Sequence, residues 1–220
     1  MIEVRDLTKS YRINKDVLKA VDHVSFDIEK GDMLSIVGHS GSGKTTLLSL
    51  LGGLTRPDSG SVVIEGLNIW SITDDELSVY RNKKISFIYQ FSSLIPTLTA
   101  IDNIMLPAAF GKYDDVSGFA KELLSTVGLA DKMHSYPAHL SGGQQRRVAI
   151  ARAFINNPEI VLADEPTGDL DEDTEKEIID LFTRMNEERK TSFIIVTHNK
   201  DIAAKMTKRM SMNKGVLSLS

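Results

Sequence analysis

The chain has no cysteine among its 220 residues, which removes disulfides and thiolate chemistry and fits a reducing compartment. No apolar run reaches the roughly 18 to 20 residues needed to span a bilayer. A membrane role must therefore pass through a partner. An excess of basic residues is also missing: 26 Lys and Arg face 30 Asp and Glu, a net charge of −4. A general nucleic-acid surface is not expected on that ground, since such domains are usually basic, though a local basic site stays open. The opening "MIEVRDLTKSYR" alternates apolar and polar residues with early charges, and reads as neither a signal peptide nor a transit sequence. Repeats, low-complexity tracts and long linkers are absent as well. The length suits one domain carrying an inserted lobe.

What is present is a regular alternation of apolar patterns. "IEVRDL" and "VDHVSFDIEKG" show the period of two expected of strands, with Gly31 closing the second. "MLSIVG", "KISFIYQ", "EIVLAD" and "SFIIVTH" are short continuous apolar runs, as in strands buried on both faces. "PDSGSVVIEG" reads as a turn and a strand, and "TTLLSLLGG" as a helix stopped by Gly52 and Gly53. "SGGQQRRVAIARAFI" places Val148, Ala151 and Ile155 on one helical stripe, and "EDTEKEIIDLFTRMNEE" does the same with Ile178, Leu181, Phe182 and Met185. From Phe91 to about Leu140, Pro96, Pro107 and Pro137 punctuate short helical stretches, read as the inserted helical lobe. The tail "KRMSMNKGVLSL" adds short edge strands.

Strands alternating with helices imply an α/β fold around a mainly parallel sheet. Four apolar strands end at Gly38, Gln90, Asp164 and His198. In a parallel sheet those ends share one edge, where ligands of open α/β sheets bind. Four groups distant in sequence are thus expected to converge.

"GHSGSGKT", Gly38 to Thr45, fits the phosphate-binding pattern G-x-x-x-x-G-K-[ST] between a buried strand and a helix. Gly38, Ser40, Gly41, Ser42 and Gly43 let the backbone curl so that successive N–H groups face an anion. The helix beginning around Lys44, Thr45 and Thr46 adds its unpaired amides and dipole. Lys44 would reach the β- and γ-phosphates, and the Thr45 hydroxyl would ligate Mg²⁺. His39 has no defined target and is read as a variable loop position. "LSGGQ" opens a second helix: Ser141 and Gln144 have capping-box spacing, and Gly142 and Gly143 expose backbone amides. By itself this reads rather as an ordinary capped helix start.

"GHSGSGKT", "LSGGQQRR", "IVLADEPTGDLD" and "TH", in this order, resemble the ATP-binding-cassette (ABC) ATPase subunits. The resemblance runs from about Ile2 to the strand after His198. "SFIYQFSSLIPTLTAIDNIMLP" and "ADEPTGDLD" are similar to the subgroup serving lipoprotein release, macrolide export and cell division. It implies a P-loop NTPase core over about 1–90 and 158–220, an N-terminal antiparallel β subdomain, and an inserted α-helical subdomain over about 91–157.

The same resemblance implies ATP and Mg²⁺ as ligands. Two cassettes, identical chains on this reading, would pair head to tail. Ser141, Gly142, Gly143 and Gln144 would then meet the γ-phosphate held by the partner. Integral membrane permease subunits would be the further partners, and the cassette would lie in the cytoplasm against the inner face of the cell membrane. Asp164 would hold Mg²⁺ and Glu165 would act as general base. Gln90 would contact Mg²⁺ or water and report to the lobe, while His198 would bind the γ-phosphate or orient Glu165 or the water. Tyr11 would stack on adenine. Asp169 and Asp171 fall in the loop that communicates across the dimer; Asp169 departs from the usual alanine or asparagine. Phe91, Leu94, Ile95, Leu98 and Ile101 would form the lobe's core or receive helices from membrane subunits. His23, His134 and His139 have no metal-site partners and are given no role.

Two rivals fit less well. A soluble mechanical ATPase acting on DNA or ribosomes would resemble relatives with a long coiled coil between P-loop and signature, or with two cassettes in one chain. A P-loop kinase leaves "LSGGQ" unexplained.

Overall fold

The computed structural model describes residues 1–14, 16–111, 115–168 and 170–219. Asp169, one of the two acids expected in the communicating loop, lies outside them.

Two long strands, β1 (Ile2–Ile13) and β2 (Asp16–Ile28), pair antiparallel, and β4 (Ser59–Ile64) and β5 (Leu67–Asn68) complete a sheet of order β2-β1-β4-β5. The first two run well beyond the alternating segments read from sequence. Past Ser10 the ladder continues with Tyr11 and Arg12 against Leu18 and Val17, all exposed, where backbone pairing needs no apolar face.

The second sheet contains β3 (Met33–Val37), β6 (Ile85–Ile88), β7 (Ile160–Asp164), β8 (Ser192–Thr197), β9 (Lys208–Asn213) and β10 (Val216–Leu219), in the order β10-β9-β3-β8-β7-β6. All its neighbours are parallel except the terminal β9–β10 hairpin.

Burial on both faces explains the continuous apolar runs. Phe193 and Ile195 of β8, with Val161 and Ala163 of β7, point into one core; Ile194 and Val196, with Ile160 and Leu162, point into the other. The first core is closed by α3 (Ala100–Gly111), α4 (Ser117–Thr126), α5 (Gly142–Phe154) and α6 (Glu172–Arg189). The second is closed by α1 (Lys44–Leu51), α2 (Asp74–Lys84) and the antiparallel sheet. A short α7 (Lys200–Ala204) follows β8. Because α3, α4 and α5 lie between β6 and β7 in sequence, the chain leaves the sheet after Ile88 and returns at Ile160.

Two expectations change, and one helix carries no expectation. Pro107 does not interrupt a helix; it sits inside α3, and its carbonyl accepts from Asn82 Nδ2 at 3.0 Å. Strand β6 stops at Ile88, so Gln90 lies two residues beyond it, where the chain already turns toward the lobe. Helix α2 went unread, although Thr73 and Glu76 close a capping box that carries the sequence signal T-x-x-E.

Candidate functional site

Every parallel strand delivers its carboxyl end to the same rim. A cavity of about 960 Å³ opens there, lined by Gly38, Lys44, Thr45, Gln90, Asp164, Glu165 and His198. Its floor is the loop from Gly38 to Gly43 and the first turn of α1; Ser40, Gly41 and Thr46 also line it.

The loop is held by contacts as well as by its glycines. Ser42 N donates to His39 O at 3.1 Å, and Gly215 N, from the β9–β10 turn, donates to Ser42 O at 2.9 Å. Gly43 has φ 107°, and a Cβ there would fall 1.9 Å from the Ala20 carbonyl oxygen. A Cβ on Gly38 would fall 2.3 Å from the Met212 carbonyl oxygen. Both positions therefore exclude side chains by close backbone approach. Ser42 does not line the cavity: it is buried, and its Oγ makes no hydrogen bond among the described residues.

Lys44 is buried, and its Nζ donates to Gly38 O at 2.7 Å and His39 O at 2.9 Å. An ammonium has three donors, so one is left beyond these two. Thr45 Oγ1 donates to Asp164 Oδ2 at 2.7 Å, bringing the P-loop to the end of β7. Burial is the main cause that lifts the Asp164 carboxyl above its ordinary value. The neighbouring Glu165 charge adds to the rise, while the Thr45 hydrogen bond and Lys44 oppose it. A cation beside this carboxylate would relieve that burden. Among the described residues no cluster of three or more His, Cys, Asp or Glu could hold a metal. The hydroxyl and carboxylate oxygens of Thr45 and Asp164 suit a hard ion that takes its remaining ligands from phosphate and water, the usual manner of Mg²⁺.

Glu165 leaves β7 with φ 46°, a left-handed conformation, and its amide donates to Val196 O at 2.9 Å. Its carboxylate meets His198 Nδ1 at 2.9 Å and accepts from the His198 backbone amide at 3.3 Å. A carboxylate only accepts, so the ring carries its proton on Nδ1 in this pair. The Glu165 side chain is 16% exposed and that of His198 77%. The carboxylate is thus enclosed while the imidazole faces open space. Gln90 is exposed and lines the same cavity.

Tyr11, Leu18 and Ala20 also line the cavity and add apolar surface to it. Lys200, Ser211, Met212 and Asn213 also line the cavity and went unread. Ser211, Met212 and Asn213 arrive because β9 pairs beside β3, and Lys200 because α7 starts just past the end of β8; no local pattern encodes either.

Ser141, Gly142, Gly143 and Gln144 do not join this cavity. They form the N-terminus of α5, where Gln144 N donates to Ser141 Oγ at 3.2 Å and Ser141 N donates to Gln144 Oε1 at 2.9 Å. A Cβ on Gly142 would meet nothing within 4 Å, and one on Gly143 only ordinary contacts at 3.8 and 3.9 Å. The chain's own packing gives no reason for glycine at either position.

Helix α5 also carries Arg146, buried, whose guanidinium donates to the carbonyls of Tyr89 and Gly168. It links the exit of β6 to the loop after Glu165. Sequence reading assigned it nothing, since a charged residue beside an apolar stripe reads as solvent-facing.

Comparison with known proteins accords with this geometry. Residues 21–168 match the family model described as "ABC transporter". The chain is 43% identical to the lipoprotein-releasing system ATP-binding protein LolD of Cytophaga hutchinsonii, covering 99% of this chain and 98% of that one. It is 40% identical to the macrolide export ATP-binding/permease protein MacB of Syntrophobacter fumaroxidans, again over 99% of this chain, but spans only 31% of that protein. A dimeric structure of the ATP-binding cassette MJ0796, in a post-hydrolysis state bound to ADP and Pi, superposes with a TM-score of 0.93. It is 36% identical and is covered over 98% of its length. A second dimeric structure of that bacterial ABC transporter cassette gives 0.90 at 38% identity. The chain belongs to the ABC transporter family, as one of its ATPase cassettes.

Proposed function

We propose that the chain binds ATP with Mg²⁺ along the rim described above and hydrolyses it between two identical copies paired head to tail. Each nucleotide would lie between one copy's P-loop and the other's Ser141–Gln144 turn. The observation that carries this reading is the gathering of Lys44, Thr45, Gln90, Asp164, Glu165 and His198 around one cavity, with the signature turn outside it. A turn with two uncrowded glycines and two orphan N-terminal amides is suited to an anion presented by another molecule.

Within the site, Tyr11 stacks on the base, and the loop amides with Lys44 hold the β- and γ-phosphates. Thr45 and Asp164 would hold Mg²⁺, and Gln90 would contact it or water. When bound, the ion neutralises phosphate charge that grows as the terminal bond breaks. Glu165 accepts a proton from water as the water oxygen bonds to the γ-phosphorus and the bridging oxygen leaves with ADP. His198 donates from Nδ1 to Glu165 and fixes its carboxylate, which favours the orienting role among those considered for this ring.

Membrane subunits would dock in the groove of about 650 Å³ between α2, α3 and the end of α5. Val79, Phe110 and Leu54 stand exposed there, an apolar surface suited to a short amphipathic helix. Among the described residues no helix is long and apolar enough to cross a membrane, so attachment to the inner face would come through those subunits. Residues about 91–157 would act as the moving subdomain, and Asp171, which caps α6, would face the partner copy.

Glu165→Gln tests this reading. It keeps the shape but removes the base, so turnover should fall about 10²- to 10⁴-fold while ATP-driven dimers persist in size-exclusion chromatography. Undiminished turnover, or no ATP-driven dimer, would reject it.

A further inference from the structure

The segment after β6 is bound to helix α5 on both sides of Gln90. Before it, the Tyr89 carbonyl accepts from Arg146. After it, Arg152 donates from Nη2 to Ser92 O at 3.1 Å and from Nη1 to Ser93 O at 2.9 Å. Ser92 Oγ donates to Gln145 Oε1 at 3.3 Å. Farther along, fully buried Asn103 of α3 holds Ile95, Leu98 and Thr99 through their backbone. Gln90 and Phe91 are therefore the exposed crest of a segment otherwise tied to the lobe helices.

Arg152 is the one of these residues that also lines the groove between α2 and α3. Its guanidinium grips two successive carbonyls with two nitrogens, a fork that a single ammonium does not reproduce. It does not reach the nucleotide cavity. We infer that Arg152 is a positioning residue for hydrolysis: by holding the Ser92 and Ser93 carbonyls it sets where Gln90 stands in the cavity, and it joins the groove wall to that placement. This rests on the role proposed for Gln90.

The test is a double-mutant cycle on the purified full chain with MgATP. Arg152→Met keeps the apolar stem in place and removes the donors. Turnover should fall about tenfold, with ATP affinity, measured by equilibrium binding, changed less than twofold. In a Gln90→Ala background, the same substitution should have no further effect on turnover. Arg152→Lys should lie between Met and the natural residue, and it replaces Met in the cycle should the Met variant fail to fold. Wild-type turnover in Arg152→Met, or equal losses in both backgrounds, overturns the inference while leaving Gln90's role standing. Wild-type turnover in Gln90→Ala overturns both.

Discussion

His198 holds Glu165 at two points, through Nδ1 to Oε1 at 2.9 Å and through its backbone amide to Oε2 at 3.3 Å. The second contact belongs to the backbone and survives any substitution of the ring. His198→Ala should therefore lower turnover by about 10- to 100-fold, less than loss of the carboxylate itself. Steady-state kinetics should show the loss in kcat with KM for ATP little changed. An equal rise in KM would mean that the ring serves mainly to bind nucleotide.

Two loop glycines should differ sharply. Gly43→Ala places a methyl 1.9 Å from the Ala20 carbonyl oxygen at φ 107°, so the loop must move. We expect a cost of about 1–3 kcal/mol in urea unfolding, with marked loss of ATP affinity. Gly41→Ala, at φ 75° with nothing within 4 Å of the added Cβ, should cost about 1 kcal/mol and retain most binding. Equal costs would show that the close approach to Ala20 is unimportant.

At the start of α5, Gly142→Ala adds a methyl where the chain has open space. Monomer stability and ATP binding should be unchanged, yet ATP-driven dimers of the Glu165→Gln chain should weaken at least about tenfold by light scattering, because alanine crowds only a second copy. Ser141→Arg should abolish those dimers and cost about 1 kcal/mol through the lost cap. Dimers of normal strength in both variants would remove the signature turn from the interface.

Asp164 gives a pH-dependent stability effect whose sign follows from its raised carboxyl. The folded state binds that proton more tightly than the unfolded chain, so stability falls as pH rises from the ordinary aspartate range through the folded value. A neutral amide at this position would carry no such penalty. Asp164→Asn should thus melt higher than the natural chain at pH 8 without nucleotide, and the gap should close toward acid pH. MgATP turnover should meanwhile drop about 10²-fold. A lower melting temperature at pH 8 would contradict the burial argument.

The parallel core was legible because both-face burial writes continuous apolar runs, and the punctuation after each run marked the shared rim. Gly38, Asp164 and His198 stand at their expected strand ends. Gln90 does not, because Tyr89 and Gln90 continue the apolar-polar texture after pairing with β7 has stopped at Ile88. The walls supplied by Met212 and Asn213 were invisible, since they arise from which strand lies beside β3, as was that of Lys200, which arises from where α7 starts past β8. Arg146 and Arg152 were hidden for a different reason. Each satisfies main-chain carbonyls, and carbonyls leave no trace in residue identity.

The capping box at Ser141 and Gln144 turns those two side chains toward each other's backbone and leaves the Gly142 and Gly143 amides, among the first four of the helix, without a hydrogen-bond partner among the described residues. That arrangement is complete as soon as one copy folds. In a paired cassette it would need no rearrangement to greet an incoming phosphate, so the lifetime of the pair would follow the charge on the nucleotide, lengthening with triphosphate and shortening once the terminal group is cut away.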